Sequence, residues 1–284
     1  MAIEFHSLSY ALGAEVQGLD IRRPVSGADW EAVHQGFLKY GVLLFRGQRL
    51  TREQHIAFSR LFGELDRHES LPLDRDPQHP ELLMVTNDAK PDGTPSNSRY
   101  TGQMWHSDMS FTLAPALGSL LRAVDVPPVG GDTMFANMSL AYEALSPAMQ
   151  RMLEGLHGIH HSERKNSGMS AQWEAENRKR NPPVAQPLVR VHPETGRKAL
   201  YIGEKVKCLE GLTPEESQPI LDYLVRHATR PQFVYRHRWQ TDDLLIWDNR
   251  CTCHLALGDY DPTRRRHLER TTVLGTASGY HVAP

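Results

Sequence analysis

Cysteine is scarce in this 284-residue chain: Cys208, Cys251 and Cys253 are the only three. That is too few for a disulfide framework, and an odd count points to reduced thiols. Net charge is nearly absent too, at −2 with a pI near 6.7. No global basic field therefore exists to hold a nucleic acid or an anionic membrane surface, and any attraction for anions must be local. No apolar run is long enough to span a bilayer, and Met1-Ala-Ile-Glu-Phe-His6 lacks the basic stretch and apolar core of an export signal. The expectation is a cytoplasmic protein with neither nucleic-acid nor membrane partners. Internal repeats and low-complexity tracts are also missing, as is any linker that would cut the chain in two.

What is present has the balance of a soluble globular protein, with 39% hydrophobic and 23% charged residues. The length suffices to bury a sizeable core, and a single domain over residues 1–284 is expected. Trp30, Val33 and Phe37 recur at helical spacing after Ser26-Gly-Ala-Asp29, and the pattern breaks at Gly41 into the apolar strand Val42-Leu-Leu-Phe45. Thr51-Arg-Glu-Gln54 has the form of a capping box and predicts a helix to about Phe62. Strands are predicted at 82–86, 119–124, 131–136, 233–239, 244–247 and 268–274, and a hairpin at 188–202 around the Pro193-Glu-Thr-Gly196 turn. Ser146-Pro147 and Thr213-Pro214-Glu-Glu216 each open a helix with a capping hydroxyl and a first-turn proline. Residues 162–186 are polar, charged and weakly periodic, which predicts a long connection of the kind that serves as a lid or mobile loop. Many short strands with flanking helices fit a mainly β double-stranded β-helix, the jelly roll.

The chemistry centres on Trp105-His106-Ser107-Asp108. On an extended strand residues two apart share a face, so His106 and Asp108 would offer an imidazole nitrogen and a carboxylate oxygen to one ion. A distant histidine would complete a two-histidine, one-carboxylate triad, the set that leaves three positions open on iron(II). His254, after the strand Leu244–Trp247 and the turn Asp248-Asn-Arg250, is the best candidate. Among 15 histidines a chance HxD pair is unremarkable, so further support matters. Arg266-His-Leu-Glu-Arg270 supplies it: on a strand both guanidinium groups enter one cavity, where planar forks suit carboxylates. The Cys251-Thr-Cys253-His254 cluster invites zinc, but no CxxC pair completes a closed site, so its thiols are read as strand residues.

The ordered motifs Gly13-Ala-Glu-Val16, Phe45-Arg-Gly-Gln48, Phe62-Gly-Glu-Leu65, Trp105–Phe111, Gly130-Gly-Asp-Thr133, Trp247-Asp-Asn249, His254, Asp259-Tyr260 and Arg266–Val273 run nearly the whole chain. On them the sequence resembles the taurine dioxygenase and 2,4-dichlorophenoxyacetate dioxygenase family of iron(II)/2-oxoglutarate enzymes. The resemblance implies that His106, Asp108 and His254 bind iron, and that Thr133 and Arg266 hold the remote carboxylate of 2-oxoglutarate. Counting from His254 would select Arg265, because Asp261–Arg266 is one residue longer than the family pattern. Arg266 is preferred because Arg266-x-x-x-Arg270-Thr-Thr-Val273 fits from the other side. By the same resemblance, Arg270 contacts the acidic group of the primary substrate, His68 matches another substrate-contacting position, and Arg270 has a second role open to it on 2-oxoglutarate. Leu71 stands where taurine-type members have an aromatic, Gly102 where they have an amide side chain near the metal, and Val206 where they have phenylalanine. These departures count against taurine itself and leave a sulfonate, sulfate ester or carboxylate.

The implied activity is oxygen-dependent hydroxylation of a small organic anion coupled to decarboxylation of 2-oxoglutarate, with fragmentation where the hydroxyl lands beside sulfur, oxygen or nitrogen. Phe111 and Trp247 are candidates to shape the pocket. Two other functions use the same fold: a zinc hydrolase on the same three ligands, and a non-catalytic small-anion sensor. Symmetric homo-oligomerisation is expected by default.

Overall fold

The computed structural model describes residues 2–69, 71, 74–89, 93, 96, 102–162 and 171–282. Strands β1 (Glu4–Ser7) and β2 (Ala14–Gln17) lead into α1 (Gly27–Tyr40), β3 (Val42–Phe45) and α2 (Arg52–Ser59). Next come β4 (Leu83–Thr86), β5 (Gly118–Asp125), β6 (Thr133–Asn137), α3 (Met138–Glu143), α4 (Pro147–Leu153) and β7 (His157–His160). The middle of the chain gives α5 (Ala171–Arg180), β8 (Val184–Pro187), β9 (Val189–Val191), β10 (Lys198–Leu200), β11 (Val206–Leu209) and α6 (Pro214–Ala228). The chain closes with β12 (Val234–His237), β13 (Leu244–Asp248), β14 (Thr252–Ala256), β15 (His267–Val273) and β16 (Tyr280–His281).

Period-two alternation decides which way each side chain of the main sheet, β1-β2-β3-β13-β5-β15-β4, points. Leu43, Phe45, Leu120, Leu244 and Ile246 pack on one face with Val33 and Phe37 of α1 and Ile56 and Phe58 of α2. Val42, Leu44, Leu121, Leu245, Trp247 and Leu268 pack on the other face with Phe135. Phe135 belongs to β6, at the centre of the second sheet β12-β6-β14. The outer side of this second sheet is closed by α3, α4 and α6 through a third cluster that includes Ala136, Tyr142, Leu221, Leu224 and Cys253. Two sheets face to face, with helices outside, make the expected jelly roll.

The helix starts follow their signals. Ser26 caps α1, Thr51 and Gln54 close a capping box on α2, Ser146 caps α4, and Thr213 with Glu216 closes a second box on α6. Helix α2 ends at Ser59, short of Phe62, which instead packs against Trp30 and Phe58. The expected connection at 162–186 contains α5 and most of β8, and its residues 163–170 lie outside the described residues. Among the described residues no helix is long and apolar enough to cross a membrane.

Candidate active site

His106 and His254 are joined through their backbones. Each N–H donates to the other's carbonyl, at 3.0 and 2.8 Å, forming an isolated antiparallel bridge outside any strand at His106. Their rings consequently lie 4.1 Å apart. The extended strand expected through Asp108 does not form. Asp108 N–H leaves the ladder to donate to Asn249 Oδ1 at 3.1 Å, Ser107 Oγ donates to the Thr252 carbonyl, and the chain turns at Met109, whose φ is +54°. The three side chains still converge. His106 Nε2 is 3.9 Å from Asp108 Oδ1, and His254 Nε2 is 3.8 Å from Asp108 Oδ2.

The protonation states suit a metal ion. His106 Nδ1 donates to the Met104 carbonyl at 2.7 Å, which turns the bare Nε2 lone pair inward. Burial lowers the pKa of both histidines, so they are neutral imidazoles. Burial pushes the Asp108 carboxyl up, but the Arg270 guanidinium, with the Ser119 hydroxyl, outweighs it and holds the group well below the usual carboxylate range. The result is two neutral nitrogens and one ionised oxygen donor within 4.8 Å of one another, the donor set that fits iron(II) or a similar divalent ion. The donor atoms of a second trio, His192, Asp248 and Cys251, also lie within 4.8 Å of one another. Its donors are already spent: Asp248 accepts from Arg250 Nε, Arg250 Nη2 and the Arg250 amide and pairs with His192 Nε2, while His192 Nδ1 accepts the amides of Glu194 and Thr195.

Beside the triad lies a cavity of about 620 Å³, its open mouth included. Leu71, Leu83, Val85 and Leu121 give it apolar walls, and Thr133, Arg266 and Arg270 give it polar anchors. Strand register explains part of the convergence, because Thr133 pairs with Ala256 and Phe135 with His254 across β6 and β14. Arg266, just before β15, is buried, and its Nε and Nη2 donate to the Gly131 carbonyl at 3.2 and 3.0 Å. Burial lowers its pKa. That approach needs Gly130 and Gly131, both at positive φ; a Cβ on Gly130 would sit 2.1 Å from the Asp259 carbonyl. Arg265 points the other way, to Asp88 and Asp125 on the surface. Arg270, four residues on, donates from Nη1 to Asp108 Oδ1 at 2.7 Å, and its buried Nε has no partner among the described residues.

The remaining sequence candidates divide. Trp247 lines the cavity, as do Leu71 and Gly102; Gly102 has φ +80°, and a Cβ there would press on the His106 ring at 3.4 Å. His68 does not line it: the residue is buried with Nδ1 3.1 Å from Asp66. Phe111 is not part of the lining either, and Val206 belongs to the outer core cluster. Cys253 is likewise a core strand residue, its thiol directed at the Ile202 carbonyl. Three residues with no expected role touch the machinery. Trp239 Nε1 donates to Thr133 Oγ1 at 3.0 Å, Ser119 Oγ donates to Asp108 Oδ2 at 2.7 Å, and Asn249 bonds both Ser119 and Asp108. The signal for Ser119 was a hydroxyl on the inward face of β5, in line with the apolar Leu121 and Ala123.

Residues 4–272 match the family described as "Taurine catabolism dioxygenase TauD, TfdA family". The chain is 38% identical to the alpha-ketoglutarate-dependent 2,4-dichlorophenoxyacetate dioxygenase of Cupriavidus pinatubonensis, over 98% of this chain and 99% of that one. It is 31% identical to an alpha-ketoglutarate-dependent sulfate ester dioxygenase of Pseudomonas putida, over 97% of this chain and 90% of that one. The crystal structure of AAD-2 in complex with Mn(II) and N-oxalylglycine superposes with a TM-score of 0.83 at 34% identity, covering 98% of this chain and 99% of that chain. With the jelly roll, the histidine–aspartate–histidine convergence and a family match over nearly its whole length, this chain belongs to the TauD/TfdA family of dioxygenases.

Proposed function

We propose that this dioxygenase, dependent on iron(II) and 2-oxoglutarate, hydroxylates a small organic anion, with His106, Asp108 and His254 as iron ligands and Thr133 and Arg266 as the anchor of the cosubstrate's remote carboxylate. The observation that carries this reading is the convergence of the three ligand atoms beside a cavity that holds two buried arginines. When bound, the iron activates oxygen: one atom goes into the substrate C–H bond as hydroxyl, and the other into succinate as 2-oxoglutarate loses carbon dioxide. The protein supplies position, charge and dryness. Among the described residues Arg266 keeps donors free beyond the Gly131 carbonyl, and Thr133, having accepted from Trp239, keeps its hydroxyl proton for an incoming carboxylate.

Arg270 is assigned to the acidic group of the primary substrate, since it is the cationic wall residue nearest the iron ligands. The leucine and valine walls and the lack of a polar side chain at Gly102 favour a substrate with an apolar body, such as an aryloxy carboxylate or an alkyl sulfate ester, over compact zwitterionic taurine. Residues 1–284 are proposed as a single catalytic domain, because the site draws on positions from Leu71 to Arg270. A cytoplasmic location is supported by three free thiols, and a symmetric homo-oligomer is the default assembly.

Anaerobic titration of iron(II) and then 2-oxoglutarate into the metal-free protein is expected to develop the visible metal-to-ligand charge-transfer band. Aryloxy carboxylates, sulfate esters and sulfonates are then screened for a shift of that band and for succinate release on admitting oxygen. Absence of the band would sink the proposal, and turnover without oxygen would point to a hydrolase.

A further inference from the structure

We infer that Asn249 is a positioning residue for Asp108, gripping its backbone directly and its carboxylate through Ser119. The inference rests on the iron-ligand reading above. Asn249 is wholly buried, and its own amide is fixed by the Leu117 carbonyl at 2.9 Å. Its side-chain Oδ1 accepts two bonds, from Asp108 N–H at 3.1 Å and from Trp247 Nε1 at 3.1 Å. Backbone and indole N–H groups can only donate, so the amide can be placed one way round, with Nδ2 facing Ser119 Oγ at 3.0 Å. Ser119 accepts that proton, and its own must go to Asp108 Oδ2 at 2.7 Å. The relay therefore has a single direction, and among the described residues no alternative partner at either step.

Asp108 needs such a hold. It begins a turn rather than continuing a strand, and Met109 after it has positive φ, so backbone pairing alone does not fix its side chain. The Asn249 side chain grips both ends of the residue, and it sits five positions before His254, in the turn between β13 and β14. One amide thus ties the carboxylate ligand to the element that carries the second histidine. Fixing a ligand in its binding rotamer before the ion arrives removes an ordering cost from each binding event.

The test is cobalt(II) affinity of the metal-free protein without 2-oxoglutarate, followed by calorimetric titration and by the cobalt absorption spectrum, together with the urea midpoint of each metal-free variant. Ser119→Ala is expected to weaken cobalt binding roughly tenfold to a hundredfold, Ser119→Thr to restore it to within about threefold, and Asn249→Ala to lose at least as much as Ser119→Ala. A merely structural role would lower the urea midpoint and leave the affinity of the folded fraction unchanged. If Asn249→Ala does not fold, the two Ser119 variants decide alone. Cobalt affinity of Ser119→Ala equal to that of the unaltered protein overturns the inference by itself. An unaltered protein that binds no cobalt overturns the iron-ligand reading and this inference with it.

Discussion

Arg266 spends two of its donors on one carbonyl, that of Gly131, and directs the rest of a buried guanidinium toward the cavity, whereas the side chain of Arg265 is 49% exposed in a surface pair with Asp88. Replacing Arg266 by alanine removes a charge-assisted anchor from a sheltered site, which is expected to raise the KM for 2-oxoglutarate roughly tenfold to a hundredfold. Arg265→Ala removes an exposed pair and is expected to leave that KM within about twofold. Steady-state assays of both variants against varied 2-oxoglutarate compare them directly, and the reverse ranking would move the anchor to Arg265. In the sequence the two arginines are told apart by counting back from Arg270 and by the strand face that Arg266, and not Arg265, shares with it. Burial makes the same choice independently, because the backbone before β15 is held by Arg266 N–H donating to Asn87 Oδ1.

Between elements, the polar contacts of the site come from strands and turns far apart in sequence, and this limits what a linear pattern can reveal. Trp239 follows β12 and donates to Thr133 at the start of β6, across a register that pairs His237 with Thr133. Trp239→Phe keeps an aromatic ring in the core but removes the pyrrole portion of the indole with its N–H, so Thr133 is left to rotate. The expected result is a rise in the KM for 2-oxoglutarate of about twofold to tenfold, the worth of one net hydrogen bond, with Thr133→Ala at least as large and the double variant no worse than Thr133→Ala alone. Additive losses would show that the two residues act separately. Local signals were legible: the Thr51–Gln54 capping box, the capping hydroxyls with first-turn prolines at Ser146 and Thr213, the hairpin turn and the apolar runs of β3 and β13 depend on neighbours a few residues away, and they formed as read. Helix α5 was not legible, since its polar run offers no apolar stripe to mark a buried face. The metal-ligand spacing was legible as residue types and misleading as geometry, because Asn249, 141 positions away, draws Asp108 out of the strand. His68, a substrate contact by its position in Phe62-Gly-Glu-Leu-Asp-Arg-His68, is buried beside Asp66 of the same motif, with its Nε2 unpartnered among the described residues.

The whole molecule folds around several imidazoles kept out of water, and this sets how it responds to acid. Burial pushes His55 down to about 4, and it pushes His160 down to about 3, with His161 adding a smaller repulsion. An unfolded histidine takes up a proton near pH 6.5, while these two stay neutral in the fold to about 4 and 3, so between those values the unfolded chain binds more protons. Stability therefore falls as pH drops from about 6.5 toward 4, by up to roughly 1.4 kcal/mol per pH unit for each group. Glu269 acts in a lower window: burial opposes its ionisation, but His267, Arg52 and Arg122 bring its pKa down to about 2, so its contribution is present above about 4.5 and is lost only as pH falls toward 2. His160 isolates the first effect, because neither ring nitrogen has a partner among the described residues and the ring stacks on Tyr201 at 5.4 Å. His160→Phe keeps the stacking, gives up no hydrogen bond seen in the fold and removes the titration. Urea unfolding of the metal-free protein at pH 7 and pH 5 is expected to show the variant within about 1 kcal/mol of the unaltered chain, or more stable, at pH 7. At pH 5 it should retain roughly 2 kcal/mol more of that stability. Metal must be absent, because protons and a divalent ion compete for His106 and His254 and would add a second pH dependence. Equal losses in both proteins would mean that His160 is protonated in the fold at pH 5, and that the burial seen around it does not exclude water.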